Sequence, residues 1–268
     1  MRTAPLRLYN SPDIELWPAH LLRARSNRDA RTLALADWVL RRKADGRYLA
    51  ARLPQGLMPL VHRLPDEPGL ETALDLLDTL GQRGHLPPAG TLLPLDGVLA
   101  HLHELGLDAD DYAASSGLSL CAEPAWLELA GFDRWRRPLW LTPGAGRSWQ
   151  RMRLTAASDG ITLDAISGYR SQAYQAGIFA RKRARGLSVS QILTVNAAPG
   201  FSEHHSGRAI DIGTPGEPAA EESFEATSAF AWLQTHASNF GFSLSYPRDN
   251  PNGIVYEPWH WCFRPTGL

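Results

Sequence analysis

A short stretch near the C-terminal end holds a histidine and a carboxylate whose spacing suits a metal site. His204 and Asp211 are separated by small residues and Gly207, and a second motif holds Glu257 and His260. Two imidazoles and one carboxylate can bind a zinc ion and leave its fourth position open to water. Glu257 would then act as the base for that water. The sequence therefore predicts a hydrolytic zinc site.

Hydrolysis of a carbonyl at such a site needs a proton carrier and a positive partner for the oxyanion. Zinc lowers the pKa of its bound water to roughly 7, and Glu257 would take the proton and later deliver it to the leaving amine. Arg170 supplies a permanent positive charge for the tetrahedral oxyanion. His205 is predicted to stay outside the site, because adjacent side chains in an extended segment diverge.

Two predicted strands must position these residues. Asp211 lies in an apolar stretch whose flanking isoleucines would face the core, and a buried aspartate needs a partner or a cation. Glu257 and His260 would face opposite sides of a regular strand. Pro258 disrupts that regularity, so both side chains can reach one site.

The remaining pattern predicts an α+β protein with an antiparallel sheet. Apolar periodicity predicts helices at 28–43, 70–80, 96–105, 122–131, 144–158, 171–185 and 224–240. Alternation predicts strands at 47–53, 56–64, 161–166 and 242–246, and a final strand that begins near 254. Residues 1–106 are predicted to form a small α+β appendage of unknown role, and residues 107–268 the domain that carries the zinc site.

The composition is that of an ordinary globular protein. Hydrophobic residues make up 44% of the 268 residues, and the formal net charge of −1 indicates neither nucleic acid nor anionic membrane as a partner. Cys121 and Cys262 form no C-x-x-C pair, so free thiols are favoured over a thiolate metal site. No segment resembles a signal peptide or a membrane span, and the sequence is therefore predicted to be soluble and cytoplasmic.

Several motifs, in order, resemble those of the VanY-type D-Ala-D-Ala carboxypeptidases, which belong to a wider group with the lysostaphin-type peptidases and the hedgehog signalling domain. They cover roughly the last half of the chain and read SGYRS at 167–171, PGFSEHHSGRAIDI at 199–212, GFSLSYP at 241–247 and YEPWHW at 256–261. The resemblance implies a small antiparallel sheet, flanked by helices, that carries the zinc site.

The resemblance also implies a role for each matching position in the reaction. The implied Zn²⁺ ligands are His204, Asp211 and His260. Glu257 would be the catalytic base, and Arg170 would stabilise the oxyanion.

Three further positions are implied to bind substrate: Tyr169, Gln175 and Ser202. Family substrates are peptidoglycan stem peptides that end in D-Ala, so peptides or muropeptides derived from peptidoglycan are the expected partners. Cys262 departs from the family pattern, which often has a basic residue at this position.

Two reactions and one non-catalytic role are compatible with these motifs. An L,D-carboxypeptidase would remove D-Ala from tetrapeptides during cytoplasmic murein recycling, and the lack of an export segment favours this reaction. The alternative is a D,D-carboxypeptidase that acts on pentapeptides. A binding module on the same scaffold is a third possibility, but the presence of Glu257 and Arg170 argues against it.

Overall fold

The structure is a computed structural model that describes residues 6–83 and 87–264. Groups of strands and groups of helices follow one another along the chain, and the strands of the described residues lie in two antiparallel sheets. The predicted α+β class with antiparallel sheet is therefore confirmed. Within the described residues, no helix combines the length and the apolar composition needed to cross a bilayer.

The larger sheet has seven strands in the order β5-β4-β3-β2-β1-β6-β7. These strands are β1 (Arg7–Asn10), β2 (Ile14–Pro18), β3 (Trp38–Arg42), β4 (Tyr48–Leu53), β5 (Gly56–Pro59), β6 (Trp126–Phe132) and β7 (Pro138–Leu141). Helix α2 (Leu70–Arg83) covers one face, where Leu16, Leu40 and Ala73 are buried in a common apolar cluster. Burial of these side chains is the main favourable contribution to the stability of this layer.

The smaller sheet has four strands in the order β10-β11-β9-β8. These strands are β8 (Asp164–Ser167), β9 (Ala209–Gly213), β10 (Phe242–Leu244) and β11 (His260–Phe263). Helices α5 (Pro143–Ser158) and α8 (Ser228–His236) pack on one face. Ile210 and Ile212 point into this core with Trp149 and Leu233. Because side chains alternate along a strand, Asp211 faces the opposite side of the sheet.

Five further α-helices belong to the described part of the chain. They are α1 (Asn27–Leu33), α3 (Asp96–Glu104), α4 (Ala109–Ser116), α6 (Gln172–Ala184) and α7 (Val189–Leu193). Ser171 caps α6, since its side chain accepts a hydrogen bond from the backbone N–H of Tyr174. This cap fixes the start of α6 directly after the SGYRS segment.

Two helix predictions were wrong. The predicted helix at 28–43 ends at Leu33, and Trp38–Arg42 forms β3 instead. The predicted helix at 122–131 is replaced by β6 over Trp126–Phe132. Both segments are central strands that pair on two sides. This pairing outweighs the weak local preference for a helix.

The larger sheet includes strands from both sides of residue 106. Strand β6 pairs with β1, and Leu127 lies opposite Leu8. Residues 1–106 and 107–268 therefore contribute strands to one sheet. That the two parts are separate folding units stays a prediction.

Candidate metal and catalytic site

The three predicted metal ligands converge on the side of the smaller sheet opposite the core that contains Ile210 and Ile212. Asp211 and His260 are direct partners on β9 and β11, and His204 lies in a 3-10 helix at Glu203–Ser206. The Oδ1 atom of Asp211 is 3.2 Å from Nε2 of His204 and 3.1 Å from Nδ1 of His260. One ligand atom from each residue lies within 4.8 Å of the other two, and all three residues are buried.

A tight turn brings His204 back to the strand that carries Asp211. Gly207 ends the 3-10 helix with a φ of 64°, and a Cβ at this position would lie 2.5 Å from the side chain of Leu127. Glycine is therefore required by both the backbone conformation and the close packing. His204 and Asp211 are seven positions apart in the sequence. This spacing corresponds to the turn at Gly207 plus the first residues of β9.

Hydrogen bonds outside the cluster orient both imidazoles. The Nδ1 of His204 lies 2.6 Å from the carbonyl oxygen of Gly168. A carbonyl can only accept, so Nδ1 carries the proton and the Nε2 lone pair faces Asp211. The Nε2 of His260 lies 3.0 Å from Oε2 of Glu203, and its Nδ1 faces the cluster. A carboxylate or carbonyl on the outer nitrogen is the usual partner of a metal-binding histidine.

The charges of the cluster suit a divalent cation. Burial lowers the pKa of His204 to about 4, so its imidazole is neutral. Burial opposes ionisation of Asp211, but His204, His260 and Arg170 hold the pKa of its carboxyl well below its usual range. Burial likewise opposes a charge on His260, yet Asp211 and Glu203 raise its pKa to about 10. A bound cation would replace that proton, as metal binding to histidine generally does.

The spacing of the donors also fits zinc. Ligands at zinc–nitrogen and zinc–oxygen distances near 2.0–2.1 Å in tetrahedral geometry lie about 3.3 Å apart. The two separations from Asp211 Oδ1, 3.1 and 3.2 Å, are close to this value. The three donor atoms lie within 4.8 Å of one another, so His204, Asp211 and His260 together form a group that could hold the ion.

Glu257 lies beside the cluster at the position expected for a base. It precedes β11 in a turn in which the N–H of His260 donates to the Glu257 carbonyl oxygen over 3.1 Å. This turn, which contains Pro258, puts Oε2 of Glu257 3.8 Å from Nδ1 of His260. Burial raises the pKa of the Glu257 carboxyl to about 7. A carboxyl with this pKa can both accept and donate a proton near neutral pH.

Arg170 reaches the same site from the SGYRS segment. Its N–H donates to the carbonyl oxygen of His204 over 3.3 Å, and its own carbonyl oxygen accepts from Nδ1 of His205 over 2.7 Å. The guanidinium Nη2 is 3.8 Å from Oδ2 of Asp211. Its Nε is buried and has no hydrogen-bond partner in the described part of the chain. The backbone is thus fixed, while the guanidinium retains donors for a ligand.

Ser202 and Gln175 line the small pocket that opens onto these residues. The pocket holds about 30 Å³ and is also lined by Glu257 and Arg170. Gln175 donates from Nε2 to the carbonyl oxygen of Ala197 over 2.9 Å. Its buried Oε1 has no hydrogen-bond partner among the residues that the structure describes. This acceptor is suitably placed to receive a hydrogen bond from a ligand.

Tyr169 lies apart from the other predicted site residues. Its hydroxyl donates to Oε2 of Glu123 over 2.5 Å, and its ring lines a separate, larger cavity. Its neighbour in sequence, Arg170, lines both the larger cavity and the small pocket. The structure therefore brings together Arg170, Gln175, Ser202, His204, Asp211, Glu257 and His260, but not Tyr169.

The supporting contacts of two residues, Glu203 and His205, were not predicted from the sequence. Glu203 orients His260 and also accepts from the hydroxyl of Ser245 over 2.5 Å. His205 is buried outside the metal cluster, as predicted, and it holds the Arg170 carbonyl. An acidic residue directly beside a metal-binding histidine was the one signal in the sequence that pointed to Glu203.

The chain is similar in sequence to known proteins. Residues 139–266 match the family model described as VanY, D-alanyl-D-alanine carboxypeptidase. The bifunctional D-Ala-D-Ala dipeptidase and carboxypeptidase VanXYC of Enterococcus gallinarum is 33% identical over 153 residues, which are 54% of this chain and 76% of that protein. A D-alanyl-D-alanine carboxypeptidase of Enterococcus faecalis is 33% identical over 118 residues, which are 40% of this chain and 42% of that protein.

One solved structure illustrates the partial likeness to known proteins. A vancomycin resistance D,D-pentapeptidase VanY, solved in complex with Zn(II), is 29% identical, with a TM-score of 0.39 over 47% of this chain and 73% of that one. The matched family region contains Arg170, Glu257 and the three residues of the metal cluster. The chain belongs to the VanY family of D-alanyl-D-alanine carboxypeptidases.

Proposed function

We propose that this protein is a zinc-dependent carboxypeptidase that releases the C-terminal D-Ala from peptidoglycan stem peptides. The observation that carries the proposal is the meeting of three buried metal donors with Glu257 and Arg170 around one small pocket. Family membership supports the substrate class, because the curated relatives described above are named as D-Ala-D-Ala enzymes.

His204, Asp211 and His260 would hold the ion. When bound there, zinc supplies Lewis-acid activation of water and of the substrate carbonyl. The ring nitrogens that face away from the cluster are held by Gly168 and Glu203, so the donors are oriented before the metal arrives.

The other residues of the pocket carry the proton and the charge of the reaction. Glu257 accepts a proton from the attacking water and delivers it to the leaving amine, since its raised pKa suits both steps. Arg170 directs a guanidinium toward the pocket and stabilises the negative oxygen that develops during attack. Ser202 and Gln175 bind the terminal D-residue.

The bond that is cut defines two candidate specificities. The L,D reaction on tetrapeptides, within cytoplasmic recycling, is the prediction from the sequence. The D,D reaction on pentapeptides is the second candidate, because the similar curated proteins named above act on D-Ala-D-Ala. Fractionation of cells that produce the natural gene product, followed by immunodetection, tests the predicted compartment.

Mass spectrometry of the products from purified tripeptide, tetrapeptide and pentapeptide muropeptides distinguishes these reactions. Conversion of tetrapeptide to tripeptide supports the L,D reaction, and conversion of pentapeptide alone supports the D,D reaction. Chelation should abolish either conversion, and added Zn²⁺ should restore it. A zinc-loaded protein that binds these muropeptides and releases no D-Ala would instead be a binding module.

A further inference from the structure

A second cavity of about 290 Å³ lies next to the catalytic pocket. We call it the arginine cavity. Its walls come from β2, β3, β7 with the segment before it, the SGYRS segment and the start of α6. The lining residues include Trp17, Arg41, Arg137, Trp140, Arg170 and Tyr174. Its volume is near the lower end of the range for ligand sites. Trp17 and Arg41 lie outside the region that matches the family model.

Arg170 connects this cavity with the catalytic pocket, because its side chain lines both. The catalytic pocket holds about 30 Å³, roughly the volume of one water molecule in the liquid. A space of this size cannot hold a peptide, so most of a bound peptide must lie elsewhere. The arginine cavity is an adjoining space of suitable size, and its wall includes Arg170.

The guanidinium of Arg41 is held in a fixed position on the cavity wall. Its Nη1 donates to Oε2 of Glu15 over 2.5 Å, and Glu15 also accepts from the indole N–H of Trp17 over 2.7 Å. The guanidinium carbon lies 4.9 Å from the Trp17 ring centroid. Gly46 leaves space for Nη2, since a Cβ there would lie 2.5 Å from it. A guanidinium has five donors, and this arrangement commits one of them to Glu15.

A second guanidinium on the wall is arranged in a similar way. Nε of Arg137 donates to Oδ2 of Asp133 over 2.5 Å, and its guanidinium carbon lies 4.7 Å from the ring centroid of Trp135. Its side chain is 60% exposed, so further donors can reach a ligand. The wall therefore presents oriented guanidinium donors, which suit carboxylates.

Aromatic rings complete the walls. The rings of Trp17 and Trp140 meet edge to face with centroids 5.2 Å apart. Tyr174, on the first turn of α6, is partly exposed and lines the same cavity. Flat rings beside guanidinium donors provide both apolar contact and charge recognition for a peptide.

We propose that the arginine cavity binds a carboxylate-bearing segment of the substrate on the acyl side of the cleaved bond. The N-terminal region of the chain would then select acidic stem peptides through Arg41. This inference rests on the proposed function for the identity of the substrate. Stem peptides carry a free carboxylate on the γ-linked D-glutamate that precedes the diamino acid, and amidation of that residue removes the charge at constant length.

The test compares kcat/KM for three peptides with the same C-terminal end. The first peptide contains γ-D-glutamate, and the second contains γ-D-isoglutamine at that position. The third begins at the diamino acid and therefore lacks the residues that precede it. We expect the wild-type protein to prefer the glutamate peptide by about tenfold, the effect of one charge-assisted hydrogen bond. Arg41→Gln should remove that preference, and Arg42→Gln should retain it, because Arg42 pairs with Glu67 outside the cavity. Equal values for all three peptides in the wild-type protein would overturn the inference.

Arg41→Gln leaves the buried Glu15 without its ion pair and could destabilise the fold. A second variant therefore keeps the test valid if Arg41→Gln misfolds. Arg137→Gln changes a largely exposed side chain of the same cavity and should reduce the glutamate preference in the same direction. If both variants melt at the wild-type temperature and keep the full preference, the inference is wrong.

Direct binding separates failure of this inference from failure of the proposed function. If the zinc-loaded protein releases no D-Ala from any peptide, the proposed function fails. The dipeptide L-Ala-γ-D-Glu can still be titrated, with tryptophan fluorescence as the signal. Binding that weakens about tenfold in Arg41→Gln supports the cavity assignment. No binding of the dipeptide, or binding of N-acetylmuramic acid in its place, overturns it.

Discussion

Glu203 determines which nitrogen of His260 faces the metal cluster. Its Oε2 lies 3.0 Å from Nε2 of His260, and its Oε1 accepts from Arg264 over 2.7 Å. Burial opposes the charge of Glu203, but the hydrogen bond and the charge of His260 lower its pKa to about 2. The ionised carboxylate keeps the proton on Nε2 and leaves Nδ1 for the metal. Glu203 is thus a positioning residue for the proposed zinc ligand.

Replacement of Glu203 should weaken the binding of zinc. Loss of a carboxylate that orients a metal-binding histidine costs about 10- to 100-fold in metal affinity. We expect a loss in this range for Glu203→Gln in a competition titration against a chelator. Ser245→Ala is the matched control, because it removes a different partner of the same carboxylate and leaves the contact to His260. Equal affinity in the wild-type protein and Glu203→Gln would refute this role.

The residues of the proposed reaction could be predicted from the sequence because each belongs to a short motif with distinctive spacing. His204 and Asp211 are joined by one turn, and Glu257 and His260 by another. The positions of Glu203 and His205 in the network depend on contacts with β11 and with Arg170, which are remote in sequence. No local pattern encodes such contacts. The expected substrate role of Tyr169 stays untested, and its contact with Glu123 was not visible in the sequence.

At the scale of elements, a buried ion pair ties the N-terminal sheet to the SGYRS segment. Lys43, which follows β3, donates from Nζ to Oε2 of Glu123 over 2.5 Å, and its side chain is fully buried. Glu123 also accepts from the hydroxyl of Tyr169 and from the N–H of Gln172. These last two residues flank Arg170 and Ser171. The pair therefore supports the loop that holds Arg170 at the site.

Breaking this pair on one side should be strongly destabilising. Lys43→Met leaves a buried carboxylate without its cation, which costs about 3–5 kcal/mol in the free energy of unfolding. The double variant Lys43→Met/Glu123→Gln should lose less, because no charge stays buried. Urea unfolding followed by tryptophan fluorescence measures both. Arg42→Met is the control and should cost at most about 1 kcal/mol, since Arg42 is partly exposed. If Lys43→Met is as stable as Arg42→Met, the buried ion pair does not stabilise the fold in this way.

The same pair predicts how stability depends on pH. Burial opposes the charge of Glu123, but Lys43 and the hydrogen bonds hold its pKa below the usual value of 4.5. The folded form thus binds the proton less readily than the unfolded form. The stabilisation is present above about pH 4.5 and is lost as the pH falls through the lower, folded value. As the pH falls below about 4.5, the wild-type protein should therefore lose more stability than the double variant. If the stability of the two proteins changes with pH in the same way, this role of the Lys43–Glu123 pair is contradicted.

Elements with strong periodicity could be predicted from the sequence, whereas the central strands β3 and β6 could not. The predicted helix at 144–158 agrees with α5 within one residue, because Trp149, Met152 and Ala156 form one buried stripe. Strand β3 was missed because Trp38, Val39 and Leu40 are consecutive apolar residues. Such a run shows neither the 3.6-residue period of a helix nor the two-residue alternation of a strand clearly. Their strand conformation depends on pairing with β2 and β4.

At the scale of the whole molecule, the larger sheet brings the N-terminal strands to the edge of the site. Strand β7 ends beside the SGYRS segment, where the N–H of Tyr169 donates to the carbonyl oxygen of Trp140 over 3.1 Å. The N–H of Thr142 donates to the carbonyl oxygen of Gly207 over 2.8 Å. The region that matches the family model begins at residue 139, so β1 to β6 precede it and extend its sheet.

The predicted division at residue 106 can be tested by expressing residues 107–268 alone. This fragment would lack β1, the strand that pairs with β6, and would expose Leu127 and an unpaired strand edge. Unpaired edges promote association. We expect the fragment to aggregate or to melt well below the full chain, as measured by size-exclusion chromatography and thermal unfolding. A monomeric fragment with the melting temperature of the full chain would show that the two parts fold independently.

In the proposed mechanism, Glu257 carries the proton beside a metal held by His204, Asp211 and His260. The most direct measurement is the rate of D-Ala release by wild-type protein and Glu257→Gln at equal zinc content, with the surface variant Glu225→Gln as control. We expect one zinc ion per chain in all three and a loss of kcat of about 10²- to 10⁴-fold in Glu257→Gln alone. A Glu257→Gln protein that binds zinc and releases D-Ala at the wild-type rate would contradict this mechanism.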